Sequence, residues 1–153
     1  MHKRVDAVLV ALSSPILVGI YKDYKLIEII QSDEKSSEIL PLIFKKILDT
    51  YDVENLFYAN GPGSFMAIKV SYIFLKSLSV LKNIPLFATD AFYFNNNQPI
   101  KAIGKLYFVK ISREIKTQKL EKVPNMEFKL PNLLDYKEFD STVAPVYGIG
   151  AVG

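Results

Sequence analysis

The sequence predicts a mixed α/β fold in which helices pack on one sheet. Three short apolar segments joined by tight turns open the chain, as in an antiparallel meander. A helix, a strand, a second helix and a short strand follow, and this βββ-α-β-α-β order is typical of a sheet covered by helices. With 153 residues, of which 50% are hydrophobic, the chain suits one ordinary domain or two small lobes.

The first part of the chain is predicted to contain five strands, at 5–13, 16–21, 25–31, 53–59 and 86–88. Ser36 or Ser37 is expected to cap a first helix that runs to about Tyr51. Pro41 is expected in the first turn of this helix, where a missing N–H costs little. Residues 89–94 are predicted to form one helical turn.

A sharp turn made of Gly61, Pro62, Gly63 and Ser64 leads into the second helix, predicted over 65–82. Glycine permits backbone angles that are closed to other residues, and Ser64 is expected to cap the helix with its hydroxyl. A helix N-terminus also attracts anions. Because the segment lacks the lysine of the phosphate loop, we interpret it as a structural turn, with a phosphate cradle as the alternative.

Both predicted helices have more apolar surface than a single contact with a sheet requires. The additional cover is either another part of this chain or another subunit, and periodicity alone leaves both open. Some of the large apolar residues must face the sheet, and the others would bind the partner. The candidates for the binding face are Leu40, Ile43, Phe44 and Ile47 in the first helix and Met66, Lys69, Val70, Ile73 and Phe74 in the second.

A polar, turn-forming segment at 95–99 (NNNQP) is the clearest break in the chain. It divides a first lobe, 1–98, from a reduced second lobe and C-terminal tail, 99–153.

The second lobe is expected to contain a hairpin that turns around Gly104 and Lys105, and the glycine-rich tail at 148–153 is expected to be mobile. Its strands are predicted at 100–103, 106–111 and 117–123.

Composition excludes several kinds of chemistry. The chain has no cysteine, which removes disulfides and thiolate sites, and its one histidine, His2, stands next to the first residue. No apolar run approaches the ~20 residues of a membrane span, so no membrane contact and a cytoplasmic location are expected. Neither a metal site nor acyl transfer through Ser13 or Ser64 is expected, because no histidine pair or suitable base accompanies them.

Six segments of the chain together resemble the TsaB (YeaZ) family. The family usually has GPGSFTGLRIG, AKGLA, NIPL, HSExLLPxI and PxYLR. The matching segments are GPGSF at 61–65, IKV at 68–70, KSL at 76–78, NIPL at 83–86, SEILPLI at 37–43 and PVY at 145–147. The chain departs from the family pattern at several positions, including Met66, which replaces threonine, and Lys69, which replaces arginine. The chain is also shorter than the family's usual length, and the loss falls in the second half.

The resemblance implies a ribonuclease-H-like lobe of the actin-like ATPase (ASKHA) class. It also implies a non-catalytic scaffold that binds and activates the TsaD transferase, which places threonylcarbamoyl on adenosine 37 of tRNA (t6A formation). The implied partners are a TsaD-like subunit, a TsaE-like ATPase in a larger complex, and a second copy when the chain is alone, with only indirect contact to tRNA. No cofactor is implied for the chain alone, whereas ATP or ADP is allowed at the interface of the assembled complex.

Two alternatives to the scaffold remain: a small nucleotide-dependent transferase of the actin-like superfamily and a self-contained homodimeric interaction module. The superfamily places an aspartate at the end of its first strand, where this chain has Leu12, which cannot coordinate Mg²⁺. Asp90 is the best remaining acid near a strand end. The transferase alternative predicts turnover that is lost on changing Ser13, Gly63 or Asp90.

A further hypothesis concerns the net charge of +3, which comes entirely from the second lobe. The second lobe's basic residues either approach tRNA in the complex or form a solvated hairpin face. They are Lys105, Lys110, Arg113, Lys116 and Lys119.

Overall fold

The structure is a computed structural model and describes residues 2–122 and 125–147. Its larger sheet consists of β1 (Lys3–Val10), β2 (Ile16–Lys22), β3 (Lys25–Ser32), β4 (Tyr51–Ala59) and β5 (Leu86–Thr89). The strand order is β3-β2-β1-β4-β5, in which the first three strands are antiparallel neighbours and β1, β4 and β5 are parallel. The predicted mixed α/β fold is therefore confirmed.

Two helices, α1 (Ser36–Thr50) and α2 (Phe65–Lys82), cover one face of this sheet. The prediction that serine hydroxyls cap them is wrong. The N-cap of α1 is Lys35, and Ser64 occupies the N-cap position of α2 without a side-chain hydrogen bond. The backbone N–H of Ser64 instead donates to the carbonyl of Leu12 at 2.8 Å. Because α1 begins at Ser36, Pro41 lies inside the helix and beyond its first turn.

A smaller sheet contains β6 (Ile100–Lys101), β7 (Leu106–Ile111) and β8 (Glu114–Lys119) in that order. The last strand begins earlier than the predicted 117–123, whose final residue lies outside the described residues. Ser112 and Arg113 form a tight turn with φ of 50° and 69°, and neither residue is typical of such a turn. The helical turn predicted at 89–94 is a 3₁₀ helix, Ala91–Phe94. The tail at 148–153 lies outside the described residues.

Two hydrophobic cores lie on opposite faces of the larger sheet. The helices close the first core, where Phe44 and Leu75 are packed with the strand residue Ile20. The second core joins residues of β1 and β4, such as Val8, to Phe108 of the smaller sheet. Because this core takes residues from both sides of the predicted lobe boundary, the smaller sheet packs directly against the first lobe. The division at residue 98 stays a prediction.

An extended segment, residues 140–147, crosses the ends of β4 and β5, and we name it the strap. Asp140 and Ala88 exchange two backbone hydrogen bonds of 3.0 and 2.9 Å. The Tyr58 hydroxyl donates to the carbonyl of Val143. The backbone N–H of Val146 donates to the carbonyl of Asn60 at 2.7 Å. The strap thus fixes the chain just before α2 begins.

Candidate protein-binding face

The structure places the four predicted binding residues of α1 in the core. Leu40, Ile43, Phe44 and Ile47 are all less than 9% exposed and pack in the core that the helices share with the sheet. Their spacing forms a single stripe along one side of α1, and that stripe faces the sheet. We therefore remove all four from the candidate binding face. The large apolar side chain that α1 does expose is Leu42, at 64%.

The second helix has apolar residues on two opposite sides. Ile68, Ser71 and Leu75 are buried, with Leu75 in the core that the helices share with the sheet and Ile68 in the second core. On the outer side, Met66 is 62% exposed, Ile73 53% and Val80 70%.

We name Met66, Ile73 and Val80 the apolar stripe. A spacing of seven residues is almost two full helical turns, so the three side chains lie nearly in line over about 21 Å of helix. These exposures make the apolar stripe the candidate protein-binding surface of α2.

The two flanks of the apolar stripe differ. Val70 and Phe74 are half-buried on the flank that faces α1, where the rings of Phe74 and Phe44 lie 5.5 Å apart. At about 100° per residue, Lys69 and Lys76 fall on the flank away from α1. Both lysines are exposed. Of the predicted residues, Met66, Lys69 and Ile73 are therefore accessible, whereas Val70 and Phe74 line the groove between the helices.

Lysines are the only charged residues of α2. Within the described ranges, Lys69 and Lys76 have no carboxylate within 4.0 Å, whereas Lys45 of α1 pairs with Asp49 at 3.0 Å. The candidate face is therefore apolar along its centre and positive along one flank. Sequence reasoning missed Val80 and Lys76, although their seven-residue spacing from Ile73 and Lys69 was a visible signal.

The turn before α2 is a tightly packed structural element. Gly61 has a φ of +119°, and a Cβ placed there would lie 2.0 Å from the carbonyl oxygen of Val146 in the strap. A Cβ on Gly63 would lie 2.9 Å from that of Leu12. At the start of α2, Phe65 stacks on Tyr147 with ring centroids 4.3 Å apart. Glycine is required here by backbone packing, which favours the structural interpretation of the turn.

Asn60, which begins the glycine segment and received no role from sequence reasoning, links this turn to the strap. Its side chain is buried, and its Nδ2 donates to the carbonyl of Ala144 at 3.1 Å. Its Oδ1 has no partner among the described residues. Nearby, burial raises the pKa of the Tyr58 phenol above its ordinary 10.0.

A cleft of about 530 Å³ lies between the start of α2 and the β1–β2 turn. Ser13, Ser14 and Ser64 line it together with the carboxylates of Asp33 and Glu34. The Ser14 hydroxyl donates to Asp33 at 3.2 Å. Lys35 also lines this cleft, and its positive charge offsets part of the repulsion that Asp33 and Glu34 exert on an anion. The tight packing of the turn, rather than the charge of the cleft, therefore favours the structural interpretation. The described residues contain no group of three or more His, Cys, Asp or Glu that could hold a metal ion.

The remaining predicted residues lie in and around the smaller sheet. Asp90 accepts hydrogen bonds from the Lys110 ammonium at 2.5 Å and from the backbone N–H of Phe92 at 3.0 Å, so its carboxylate joins two parts of the fold.

Two other lysines of the tRNA hypothesis also have acidic neighbours: Lys105 pairs with Glu121 at 3.3 Å and Lys116 with Glu114 at 3.4 Å. Across the part of the chain that the structure describes, Arg113 and Lys119 have no such pair. The charge of the second lobe's basic residues is thus partly neutralised.

The fold and face define a mixed α/β protein whose second helix exposes an apolar stripe. Its structure is similar to that of YeaZ from Pseudomonas aeruginosa, with 12% identity and a TM-score of 0.52 over 78% of this chain and 65% of that chain. It is also similar to an uncharacterised P. aeruginosa protein described as having similarity to peptidase YeaZ, with 13% identity and a TM-score of 0.57 over 82% and 70% of the two chains.

At these identities the likeness establishes a YeaZ-like fold. Neither a protein-family model nor a curated protein matches the sequence. No helix among the described residues has the length and apolar character needed to cross a membrane.

Proposed function

We propose that this protein is a non-catalytic scaffold that binds and activates a TsaD-like transferase in the formation of t6A at adenosine 37 of tRNA. The apolar stripe carries this proposal, because it exposes three large apolar side chains on one helix of a YeaZ-like fold. The proposed setting is the cytoplasm, in a complex that also takes up a TsaE-like ATPase and holds ATP or ADP at its interface.

Two features support a role without catalysis by this chain. Leu12 lies two residues after β1, at the position where the resemblance would require a metal-binding carboxylate, and it is fully buried. Asp90, the other acid considered, is held by Lys110 and by the start of the 3₁₀ helix. Transfer would therefore take place on the partner, with this chain contributing a docking surface.

The test is to mix the protein with the TsaD-like protein of the same cell and to measure mass by light scattering on a sizing column. A one-to-one complex is expected, and threonylcarbamoylation of tRNA by the mixture should require both proteins. The Ile73→Asp variant should fold normally and fail to form the complex. Absence of a complex, or ATP-dependent turnover by this chain alone, would contradict the proposal.

A further inference from the structure

We infer that a small cleft at the carboxyl end of β5 binds a small zwitterion of the α-amino acid class, with Arg113 holding its carboxylate and Glu138 its ammonium group. The cleft lies where Asp90, the β7–β8 turn and the 3₁₀ helix Tyr136–Glu138 come together. In open α/β sheets, ligands bind in crevices beyond the carboxyl ends of strands. The cleft is separate from the apolar stripe, so the inference goes beyond the proposed function and does not depend on it.

The size and lining of the cleft suit a small polar ligand. Its volume is about 220 Å³, below the roughly 300 Å³ at which pockets for drug-sized ligands begin. The hydroxyl-bearing residues Thr89 and Ser112 and the amide residue Asn97 contribute to the lining. A molecule of a few heavy atoms with polar groups at both ends matches this space better than a large apolar one.

Four charged residues line the cleft, and two of them are already paired. Asp90 and Lys110 form an ion pair of 2.5 Å, and both side chains are partly buried. Arg113 and Glu138 line the same cleft, but within the described part of the chain neither has an opposite charge within 4.0 Å. One guanidinium and one carboxylate therefore border a single space without pairing with each other.

The conformation of the β7–β8 turn indicates that Arg113 is not placed there by the needs of the turn. Ile111 is paired with Glu114, so Ser112 and Arg113 form a two-residue turn, with φ of 50° and 69°. Such turns strongly prefer Asn-Gly, and a side chain is disfavoured in this backbone region. Arginine thus occupies a position that suits glycine, and unfavourable backbone of this kind is concentrated at ligand sites.

The charges of the cleft favour a ligand that carries both signs. A simple anion would be attracted by Arg113 and repelled by Asp90 and Glu138, whereas a simple cation would be repelled by Lys110 and Arg113. A zwitterion pairs with Arg113 and Glu138 at once. The planar guanidinium of arginine also matches a carboxylate through two parallel hydrogen bonds.

The experiment titrates the full chain at pH 7 with L-alanine, propionate and ethylamine, followed by two-dimensional amide NMR. Propionate is alanine without its ammonium group, and ethylamine is alanine without its carboxylate. L-alanine should bind and shift the amide signals of residues 89–90, 110–113 and 138. Each analogue should bind at least about tenfold more weakly, because each loses one charged contact.

Arg113→Gln and Glu138→Gln should each weaken alanine binding by about tenfold or more. The matched controls are Lys119→Gln and Glu38→Gln, which remove the same charges from exposed residues outside the cleft. They should change binding by less than about twofold.

The variant Arg113→Gly separates a role in binding from a role in the turn. Because glycine suits this backbone, the melting temperature should stay the same or rise by up to about 3 °C, while alanine binding is lost.

Alanine binding retained by Arg113→Gly or by Glu138→Gln would overturn the inference. Equal affinity for alanine and either analogue would do so too, as would the absence of alanine-induced shifts at the cleft up to about 0.1 M alanine. None of these results bears on the proposed function, which is decided by complex formation at the apolar stripe.

Discussion

The two helices lie side by side on the same face of one sheet, yet they use their apolar residues differently. In α1, Leu40, Ile43 and Ile47 share one side, and that side faces the core. In α2, a buried side is matched by an outer side that carries the apolar stripe. Apolar content alone therefore does not identify a binding helix. The arrangement of apolar residues around the helix axis distinguishes the helix that buries its apolar side from the helix that also exposes one.

Replacing one isoleucine by aspartate in each helix should show the largest difference between the two helices. Ile43→Asp buries a charge in the core and should destabilise the protein by about 4 kcal/mol or more. Ile73→Asp places the charge on the exposed stripe and should change stability by less than about 1 kcal/mol while abolishing partner binding. Urea denaturation and titration calorimetry measure the two effects. Equal destabilisation by both changes would show that the stripe is covered.

The elements of the larger sheet and both helices could be predicted from sequence, because their turns and apolar periods are strong local signals. The smaller sheet was less predictable. Its last strand starts after Ser112 and Arg113, whose left-handed backbone depends on strand pairing rather than on residue type. The strap could not be predicted, because its hydrogen bonds join residues more than 50 positions apart.

The exposure of the candidate binding residues was predictable in part, and their role in binding stays a prediction. The sequence placed Met66, Lys69 and Ile73 on a candidate surface, but it also included α1 residues that the structure buries. When a helix is apolar on several sides, its sequence does not show which side packs against the sheet. The side that faces the sheet is fixed by the tertiary packing of α1 against α2, in which Phe44 contacts Phe74.

Stability should depend more strongly on Gly61, in the turn before α2, than on Gly104, in the exposed turn between β6 and β7. Gly61→Ala forces a side chain onto a φ of +119° and against the strap carbonyl of Val146, and it should cost about 3 kcal/mol. Gly104 also has a positive φ, +57°, but a Cβ there meets nothing within 4 Å. Gly104→Ala should therefore cost only about 1 kcal/mol in thermal or urea denaturation. Similar losses for the two changes would argue against tight packing of the strap.

Removing the hydroxyl of Tyr58 or of Tyr51 compares the stability contributed by a hydrogen bond near the start of α2 with that of one at the end of α1. Tyr58 donates to the buried carbonyl of Val143, so Tyr58→Phe should cost about 1–2 kcal/mol at pH 7. Tyr51 follows α1 and donates to the exposed Glu28 at 2.6 Å, so Tyr51→Phe should cost about 0.5 kcal/mol or less.

The pH dependence of stability provides a second measurement for Tyr58. Burial raises the pKa of Tyr58 in the folded state above 10.0, so its contribution is complete below pH ~10 and is lost as pH rises further. Urea midpoints between pH 8 and 11 should fall less steeply in Tyr58→Phe than in the wild type. Unchanged steepness in Tyr58→Phe would mean that the phenol is already hydrated in the folded protein.

The smallest expected effect concerns the outer side of α1. Lys45 and Asp49 form an exposed pair, and Asp49 lies near the C-terminus of the helix, where a negative charge is disfavoured. These two terms oppose one another, so Asp49→Asn should change stability by less than about 0.5 kcal/mol in urea at low and high salt. A larger loss would show that α1 is also held by its outer surface.

The strap also has a consequence for the order in which the protein is made. A ribosome synthesises β4, the glycine turn and α2 before it reaches residues 140–147. Until then the carbonyl of Asn60 and the backbone groups of Ala88 have only water as partners, because their later bonds are to Val146 and Asp140. The helix that carries the apolar stripe therefore receives its final anchoring only after residues 140–147 have been made, which limits how early a nascent chain can hold that stripe in its final position.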